Sequence, residues 1–177
     1  MSTYRELKQK VDSGFLESIK KTDMRFYLLC LLALESGARV SDLLKLEWSN
    51  IDTENNIVSY LNTKSKKMQE QNISETVVSY INRFKAILES SNELNNNIFY
   101  NSYKANVMSR VTANRRSQKE FGINFHQLRK EAGKNIANQS GVVLASAYLG
   151  HSKVSTTDIY LGTSKASYLK QMKSVFI

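Results

Sequence analysis

The chain lacks proline altogether and has a single cysteine among its 177 residues. Without proline, the turns depend on glycine and on asparagine pairs such as Asn55-Asn56. Cys30 cannot form a disulfide within the chain, and no metal-ligand spacing surrounds it. Because it lies in an apolar run, we expect it to be a small buried hydrophobe rather than a nucleophile.

Long apolar runs are also missing. The longest one, "FYLLCLLALE" from Phe26, ends in a charge and falls short of the ~18 residues that span a bilayer. The first ten residues have no apolar core of the kind that signal peptides carry. We therefore expect a cytoplasmic protein without a membrane partner.

Negative charge is the minority: the chain has 25 Lys and Arg against 16 Asp and Glu, a formal net charge of +9. Such a balance favours a polyanionic partner, which is DNA, RNA or an anionic membrane. No basic amphipathic helix with a large apolar face is apparent, so nucleic acid is the favoured partner.

The hydrophobic periodicity predicts a mostly helical chain. Thr22 or Asp23 is expected to cap a core helix that Gly37 ends, and Ser41 to cap a short helix "SDLLKLEW". Further helices are predicted over 4–18, 74–90, 102–119, from 126, over 141–150 and in the tail. "IVSYLN" and the extended piece after it predict a hairpin or three-stranded sheet with lysines at its tip. The predicted fold is mainly α with a small antiparallel β-sheet (α+β).

Four positions have the residue types of a phosphate or nucleophile site. His126 and Arg129 are three apart and share one helix face, although such a pair is usually only a surface pair. Arg39 stands in a turn between two apolar helices, where it either binds an anion or bonds nearby carbonyls, with Asp42 able to hold it. Tyr160, in "LGHSKVSTTDIYLG", can pack or attack.

Four motifs occur in a recognisable order: "GARVSDLLKLEW", "TKSKK", "HQLRK" and "LGHSKVSTTDIY". In this order they resemble the catalytic domain of the tyrosine recombinases, the phage-integrase-like site-specific recombinases. The resemblance covers about residues 24–162. It implies DNA recombination or integration by a protein encoded by a bacterium, a phage or another mobile genetic element.

The resemblance also implies roles for particular residues. Arg39 corresponds to the arginine that contacts the scissile phosphate, and His126 with Arg129 completes the phosphate clamp. Lys64 corresponds to the general acid of the hairpin turn, with Lys66 and Lys67 as competitors. His151 would bond the phosphate, and Tyr160 would be the nucleophile. The candidate contacts to the DNA backbone are Lys66, Lys67, Lys104, Arg115, Arg116 and Lys130.

The implied reaction needs no cofactor, metal or ATP and passes through a 3′-phosphotyrosine bond. The implied partner is double-stranded DNA, with a homotetramer on paired sites and a monomer possible without DNA. We expect one catalytic domain over 1–177, with the family's N-terminal DNA-clasping domain absent or truncated. The tail 161–177 is expected either to dock on a neighbouring protomer or to fold back on its own core. Two alternatives stay open: a DNA relaxase like the type IB topoisomerases, and a DNA-binding protein without activity.

Overall fold

The computed structural model describes residues 4–150. The chain divides into two compact units, Met1–Ala132 and Gly133–Ile177. His151, Tyr160 and the predicted tail helix lie outside the described residues. The expectation of a single catalytic domain stays a prediction.

The described part of the first unit is mainly helical with a small antiparallel sheet, as predicted. The helices are α1 (Tyr4–Leu16), α2 (Lys21–Ser36), α3 (Val40–Leu43), α4 (Glu75–Ser90), α5 (Arg110–Phe121) and α6 (Phe125–Tyr148), the last of which continues into the second unit. The strands are β1 (Ile51–Asp52), β2 (Ile57–Asn62), β3 (Lys67–Asn72), β4 (Tyr100–Asn101) and β5 (Asn106–Val107). None of these helices combines the length and the apolar character that a membrane crossing requires.

Helix α2 is the centre of the core because it is apolar on nearly every side. Ten of its residues from Met24 onward are fully or almost fully buried hydrophobic or small side chains. As predicted, the helix ends at Gly37, which adopts the left-handed conformation at φ 60°. The predicted caps Thr22 and Asp23 are wrong: the helix begins at Lys21, after an extended Lys20 that makes no side-chain cap.

The predicted small sheet is confirmed as three antiparallel strands in the order β1-β2-β3. In the β2–β3 hairpin, Ile57 pairs with Asn72 and Asn62 pairs with Lys67. Alternate side chains of β2 point to the core, so Val58, Tyr60 and Asn62 are buried. The turn with the lysines therefore follows directly after a buried asparagine.

Two predicted helices are shorter than expected. The helix predicted from Ser41 to Trp48 is only α3, which begins after Arg39 as its N-cap. Tight backbone bonds follow it, Lys45 N–H to Asp42 and Leu46 N–H to Leu43, and the Leu46 carbonyl then accepts from Ile98, which pulls the chain away from a helical path.

The polar helix predicted over 102–119 begins only at Arg110. The Ser109 side chain caps it by accepting from Thr112 N–H at 3.1 Å. The preceding residues instead form the β4–β5 hairpin, with Ala105 at φ 49° in its turn. Ser109 is a residue type typical of an N-cap, but the residues before and after it are similarly polar. The sequence pattern therefore did not show that the helix begins after Ser109.

The described part of the second unit carries the rest of α6 and a small cluster of Ala137, Ala145 and Leu149. Gly141 interrupts the helix at φ 85° and ψ 163°, where two helices meet. A second helix starting at that glycine was predicted. Gly150, predicted to close it, has φ 62° just beyond the helix end.

Candidate active site

Three of the predicted site residues line the same pocket. Arg39 comes from the α2–α3 turn, and His126 and Arg129 come from the first turns of α6. Helix α5 forms the opposite wall of this pocket, which has a volume of about 630 Å³. The complete lining is Arg39, Val40, Ser41, Arg110, Val111, Asn114, Arg115, Gln118, Asn124, Phe125, His126 and Arg129. We call this pocket the clamp pocket.

Arg129 is anchored at the end of helix α2. Its side chain is buried, with 4% exposure, and its Nη1 donates a hydrogen bond to the carbonyl of Gly37. The C-terminus of a helix carries partial negative charge and favours a cation there. His126 lies one turn earlier on α6 and is exposed. The backbone of α2 thus holds the guanidinium of Arg129 at the clamp pocket.

Arg39 is held by an amide. Its Nη1 donates to Asn62 Oδ1 at 2.8 Å, whereas Asp42, the expected partner, has its Oδ2 at 3.8 Å. The other oxygen of Asp42 accepts from the Thr63 hydroxyl at 2.6 Å. Asp42 is therefore part of the support of Arg39, but the acceptor of its hydrogen bond is Asn62, which the sequence had not indicated.

Asn62 joins Arg39 to the lysine turn. The same Oδ1 accepts from the backbone N–H groups of Lys64 at 3.1 Å and Ser65 at 3.2 Å. Its Nδ2 donates to Gln69 Oε1 at 2.8 Å, so both the oxygen and the nitrogen of the buried amide make hydrogen bonds. The signal for this residue was its position: a polar side chain at the inward phase of β2, two residues after Tyr60.

The three lysines of the turn lie at its exposed surface. Lys64 and Lys66 belong to the turn, and Lys67 begins β3. Lys66 has φ 55° and donates from its backbone to Asn62 O at 2.8 Å. Lys64 is fixed to Asn62 through its backbone and does not line the clamp pocket. The general acid therefore stays open among the three.

One face of α5 turns its arginines towards the clamp pocket. Arg110, Val111, Asn114, Arg115 and Gln118 line it at helical spacing. Of the candidate backbone contacts, only Arg115 is among them. Within the described residues, the lining contains four arginines and no carboxylate, which makes this a strongly positive surface.

The remaining backbone candidates lie elsewhere. Arg116 is paired with Asp23 at 2.7 Å and stacks over Phe26, 4.3 Å from the ring centre. Lys104 stands in the β4–β5 turn, and both residues line a different pocket. Lys130 is half-buried on α6. Their proposed contacts to DNA stay predictions.

Tyr60 is a buried phenol near the clamp. Burial is the main cause that raises the pKa of Tyr60 to about 12, and the positive charge of Arg129 partly opposes it. The phenol is therefore neutral over the physiological pH range, and it adds no negative charge beside the arginines.

Comparison with known proteins gives one family and one fold. The sequence model of the phage integrase family matches residues 5–167. The XerA recombinase structure is 21% identical with a TM-score of 0.77 and covers 99% of this chain, and this chain covers 64% of that protein. XerH bound to its difH substrate before cleavage is 19% identical, TM-score 0.75, with coverages of 99% and 53%. A lambda integrase dimer on a COC′ core site is 20% identical, TM-score 0.66, with coverages of 90% and 58%.

No curated protein sequence matches this chain significantly. The chain spans 53–64% of the two Xer proteins to which it is similar. At these identities the likeness of the structures concerns the fold.

Proposed function

Because this chain belongs to the phage integrase family, we propose that it is a site-specific DNA recombinase or integrase that cleaves and rejoins DNA through a covalent bond to Tyr160. The observation that carries this proposal is the clamp pocket: Arg39, His126 and Arg129 line one positive cavity although 90 positions separate the two arginines. A phosphodiester is the DNA group that such a cavity fits.

The charge of the pocket suits the reaction. Attack on a phosphodiester increases the negative charge on its non-bridging oxygens. Arg39 and Arg129 can donate charge-assisted hydrogen bonds to them, and His126 adds a donor at the rim. Because the two arginines are anchored by an amide and a peptide carbonyl, they are preorganised before DNA binds. Each such donor typically contributes ~100-fold or more in rate.

The proposed step transfers the phosphoryl group without loss of bond energy. Tyr160 gives up its hydroxyl proton to solvent as its oxygen forms a bond to phosphorus. The bond from phosphorus to the 5′-oxygen breaks, and Lys64 supplies the proton that this leaving oxygen needs. A 5′-hydroxyl of another strand then attacks the phosphotyrosine and releases Tyr160. His151 would add a further donor. ATP and metal ions have no part in this scheme.

Double-stranded DNA is the proposed partner, and a homotetramer on paired sites is the proposed assembly. The positive lining of the clamp pocket and the face of α5 beside it support a DNA partner. Deleting residues after Leu169 is expected to weaken cooperative assembly on paired sites while leaving the fold intact. Normal assembly of the shortened chain would show that the tail folds back in its own protomer.

A nicked suicide substrate tests the proposed nucleophile. Wild-type protein should form a covalent protein–DNA adduct in the presence of a metal chelator, and Tyr160→Phe should form none. Tyr168→Phe is the matched control and should form adduct at the wild-type level. An adduct that survives in Tyr160→Phe overturns the assignment of the nucleophile, and no adduct with wild type favours a DNA-binding protein without activity.

A supercoiled plasmid separates recombinase from relaxase. The proposed recombinase should require paired target sites to give recombinant products. Rapid relaxation of a plasmid that lacks such sites, without any strand exchange, would favour the topoisomerase-like alternative.

A modified leaving group identifies the general acid. A 5′-bridging sulfur is a good leaving group without protonation, so it removes the need for an acid. We expect Lys64→Ala to cleave normal DNA at least about tenfold more slowly and to recover on the sulfur substrate. Lys66→Ala and Lys67→Ala are the matched controls from the same turn. If the variant of Lys66 or Lys67 is the one that recovers on the sulfur substrate, that lysine is the general acid.

A further inference from the structure

Arg25 is a buried cation that the proposed reaction does not use. It lies on α2 with 2% exposure, and its Nε and Nη2 have no hydrogen-bond partner among residues 4–150. It lines a second pocket of about 300 Å³, to which Thr112 and Arg116 of α5 also contribute. These two residues are not part of the clamp pocket's lining, so α5 separates two different cavities. We call this one the Arg25 pocket.

The carboxylate near Arg25 is already occupied. Glu93 acts on Arg25 through its charge, but its Oε1 binds Lys21 and its Oε2 accepts from the Ser102 hydroxyl at 2.6 Å. The guanidinium carbon of Arg25 lies 5.4 Å from the centre of the Phe84 ring. Aromatic packing therefore serves one face of the group and leaves the hydrogen-bonding edge to other partners.

A buried guanidinium with two unpaired nitrogens is costly. Burial lowers the pKa of Arg25, although the charge of Glu93 opposes this. Groups that are buried and charged are normally paired, because an unmade bond to a charged group leaves its full desolvation penalty. An edge of this kind presents two parallel N–H donors, which match two oxygens of one oxyanion.

The other walls of the Arg25 pocket supply further donors and no carboxylate. Lys104 adds positive charge, Arg116 is paired with Asp23, and the amides of Asn101 and Asn106 line the cavity. Ser109 and Thr112 place the start of α5 there, where the positive end of the helix dipole favours an anion, while the Thr112 N–H itself is bound to the Ser109 hydroxyl. Several donors around one cation suit a tetrahedral oxyanion with many acceptor sites better than a planar carboxylate.

We propose that the Arg25 pocket binds a phosphate group, held bidentately by Arg25 and contacted by Lys104 and the first turn of α5. The phosphate belongs either to a small phosphorylated compound or to a DNA backbone. The site does not depend on the proposed recombinase activity, because no residue of the clamp pocket takes part in it.

Amide signals of the full chain provide the test. The 177-residue protein is titrated with inorganic phosphate while its ¹H–¹⁵N spectrum is recorded, at ionic strength kept constant with chloride. The signals of Lys104, Asn106 and Thr112 should shift saturably. Signals near Arg39 report the clamp pocket separately, so the two sites are distinguished in one experiment.

Three variants decide the result. In Arg25→Met the shifts at Lys104, Asn106 and Thr112 should disappear or require at least about tenfold more phosphate, with those near Arg39 unchanged. Arg115→Met removes the same charge from the clamp pocket. In this variant the shifts at Lys104, Asn106 and Thr112 should be the same as in wild type. If Arg25→Met does not fold, Lys104→Met, whose side chain is exposed, should weaken binding severalfold. Absent shifts, or shifts that persist unchanged in folded Arg25→Met or in Lys104→Met, overturn the proposal.

A final arm identifies the source of the phosphate. If duplex DNA shifts the same three amides in wild type and not in Arg25→Met, the site binds a backbone phosphate. If inorganic phosphate shifts them and duplex DNA does not, the site takes a small phosphorylated compound. If neither has an effect, no phosphate binds there and the proposal fails.

Discussion

Arg39 and Arg116 are equally exposed arginines in opposite situations. Their side chains are 27% and 26% exposed. Arg39 donates its hydrogen bond to a neutral amide, with the nearest carboxylate oxygen at 3.8 Å. Arg116 is paired with Asp23 at 2.7 Å, approaches Glu120 at 3.7 Å and stacks on Phe26.

The difference lies in which acceptor takes the hydrogen bonds of each guanidinium. A carboxylate in hydrogen-bond contact occupies N–H donors of an arginine, whereas the single amide bond of Arg39 leaves its other donors to a ligand, with Asp42 at 3.8 Å acting on it only through charge. Arg129 also donates to a neutral acceptor, the carbonyl of Gly37. Partner type therefore distinguishes the arginines suited to bind a phosphate from the arginine suited to hold the fold.

The sharpest test of this difference replaces each arginine by methionine. Arg39→Met should lower the rate of adduct formation on a nicked substrate by about 100-fold or more, because a preorganised donor is lost. Arg116→Met should stay within about threefold of wild type. Adduct yield against time on a gel measures both, with circular dichroism as the check that each variant is folded. Equal losses would show that partner type does not decide the role.

Asn62 allows the anchor itself to be changed. Asn62→Asp keeps an acceptor for Arg39 and for the Lys64 N–H, but it places a carboxylate against the guanidinium. We expect adduct formation to fall about tenfold. The thermal unfolding temperature should fall as well, because the buried carboxylate cannot replace the bond that Asn62 Nδ2 donates to Gln69 Oε1. Asn62→Ala should lose both adduct formation and thermal stability, because it leaves buried donors unsatisfied at a cost of about 1–3 kcal/mol. Full activity in Asn62→Asp would mean that only the geometry of the turn matters.

Deprotonation of Tyr60 at alkaline pH places a negative charge near the arginines of the clamp pocket. Its pKa is about 12 in the folded protein against an ordinary value of 10, so the folded state holds this proton more tightly. The contribution of Tyr60 to the free energy of unfolding is complete below pH 10 and is lost as the pH rises towards 12. Near pH 11 the loss is about 1 kcal/mol.

Urea unfolding at several alkaline pH values measures this effect. Tyr60→Phe should lose stability less steeply between pH 10 and 12 than wild type. Tyr103→Phe, at a position with 95% exposure, is the control and should follow wild type. Identical slopes for all three proteins would contradict the assignment.

The smallest expected effect concerns the structural arginine. Arg116→Met should lower the free energy of unfolding by roughly 0.5–1 kcal/mol, since the pair with Asp23 is partly exposed and screened by solvent. The loss should shrink in 1 M salt, where the ion pair contributes less. Chemical denaturation at two salt concentrations measures it, and a loss that grows with salt would argue against an ionic role.

Much of the local structure was readable in the sequence, and the errors have a common cause. Helices α1 and α4 have strong apolar periodicity, α2 is a long apolar run that ends at Gly37, and the β2 strand alternates. The existence and type of these helices and of the β2–β3 hairpin were predicted correctly. The start of α5 was misplaced by several residues because the β4–β5 hairpin before it is short and polar. Its pairing of Tyr100 with Val107 depends on contacts that no local pattern encodes.

The site residues also divide into those that local patterns identified and those that only the folded chain revealed. Arg39, His126 and Arg129 were found through their motifs, since their chemistry and spacing are written in the chain. The role of Asn62 was missed because its only signal, an inward position at the end of β2, does not show which residue it binds. The separation of Arg115 from its neighbour Arg116, one on each side of α5, follows from helix geometry but needs the packing of α5 to be known.

The sequence alone determined the helical character, the small sheet, the positive charge and the residue types that a phosphate reaction needs. These depend on periodicity, composition and short motifs, which are local properties. Only the tertiary structure decided which acceptors the arginines bind. That choice depends on partners such as Asn62, Gly37 and Asp23, which lie 23, 92 and 93 positions from the arginines they hold, and chain folding alone brings them within hydrogen-bond distance.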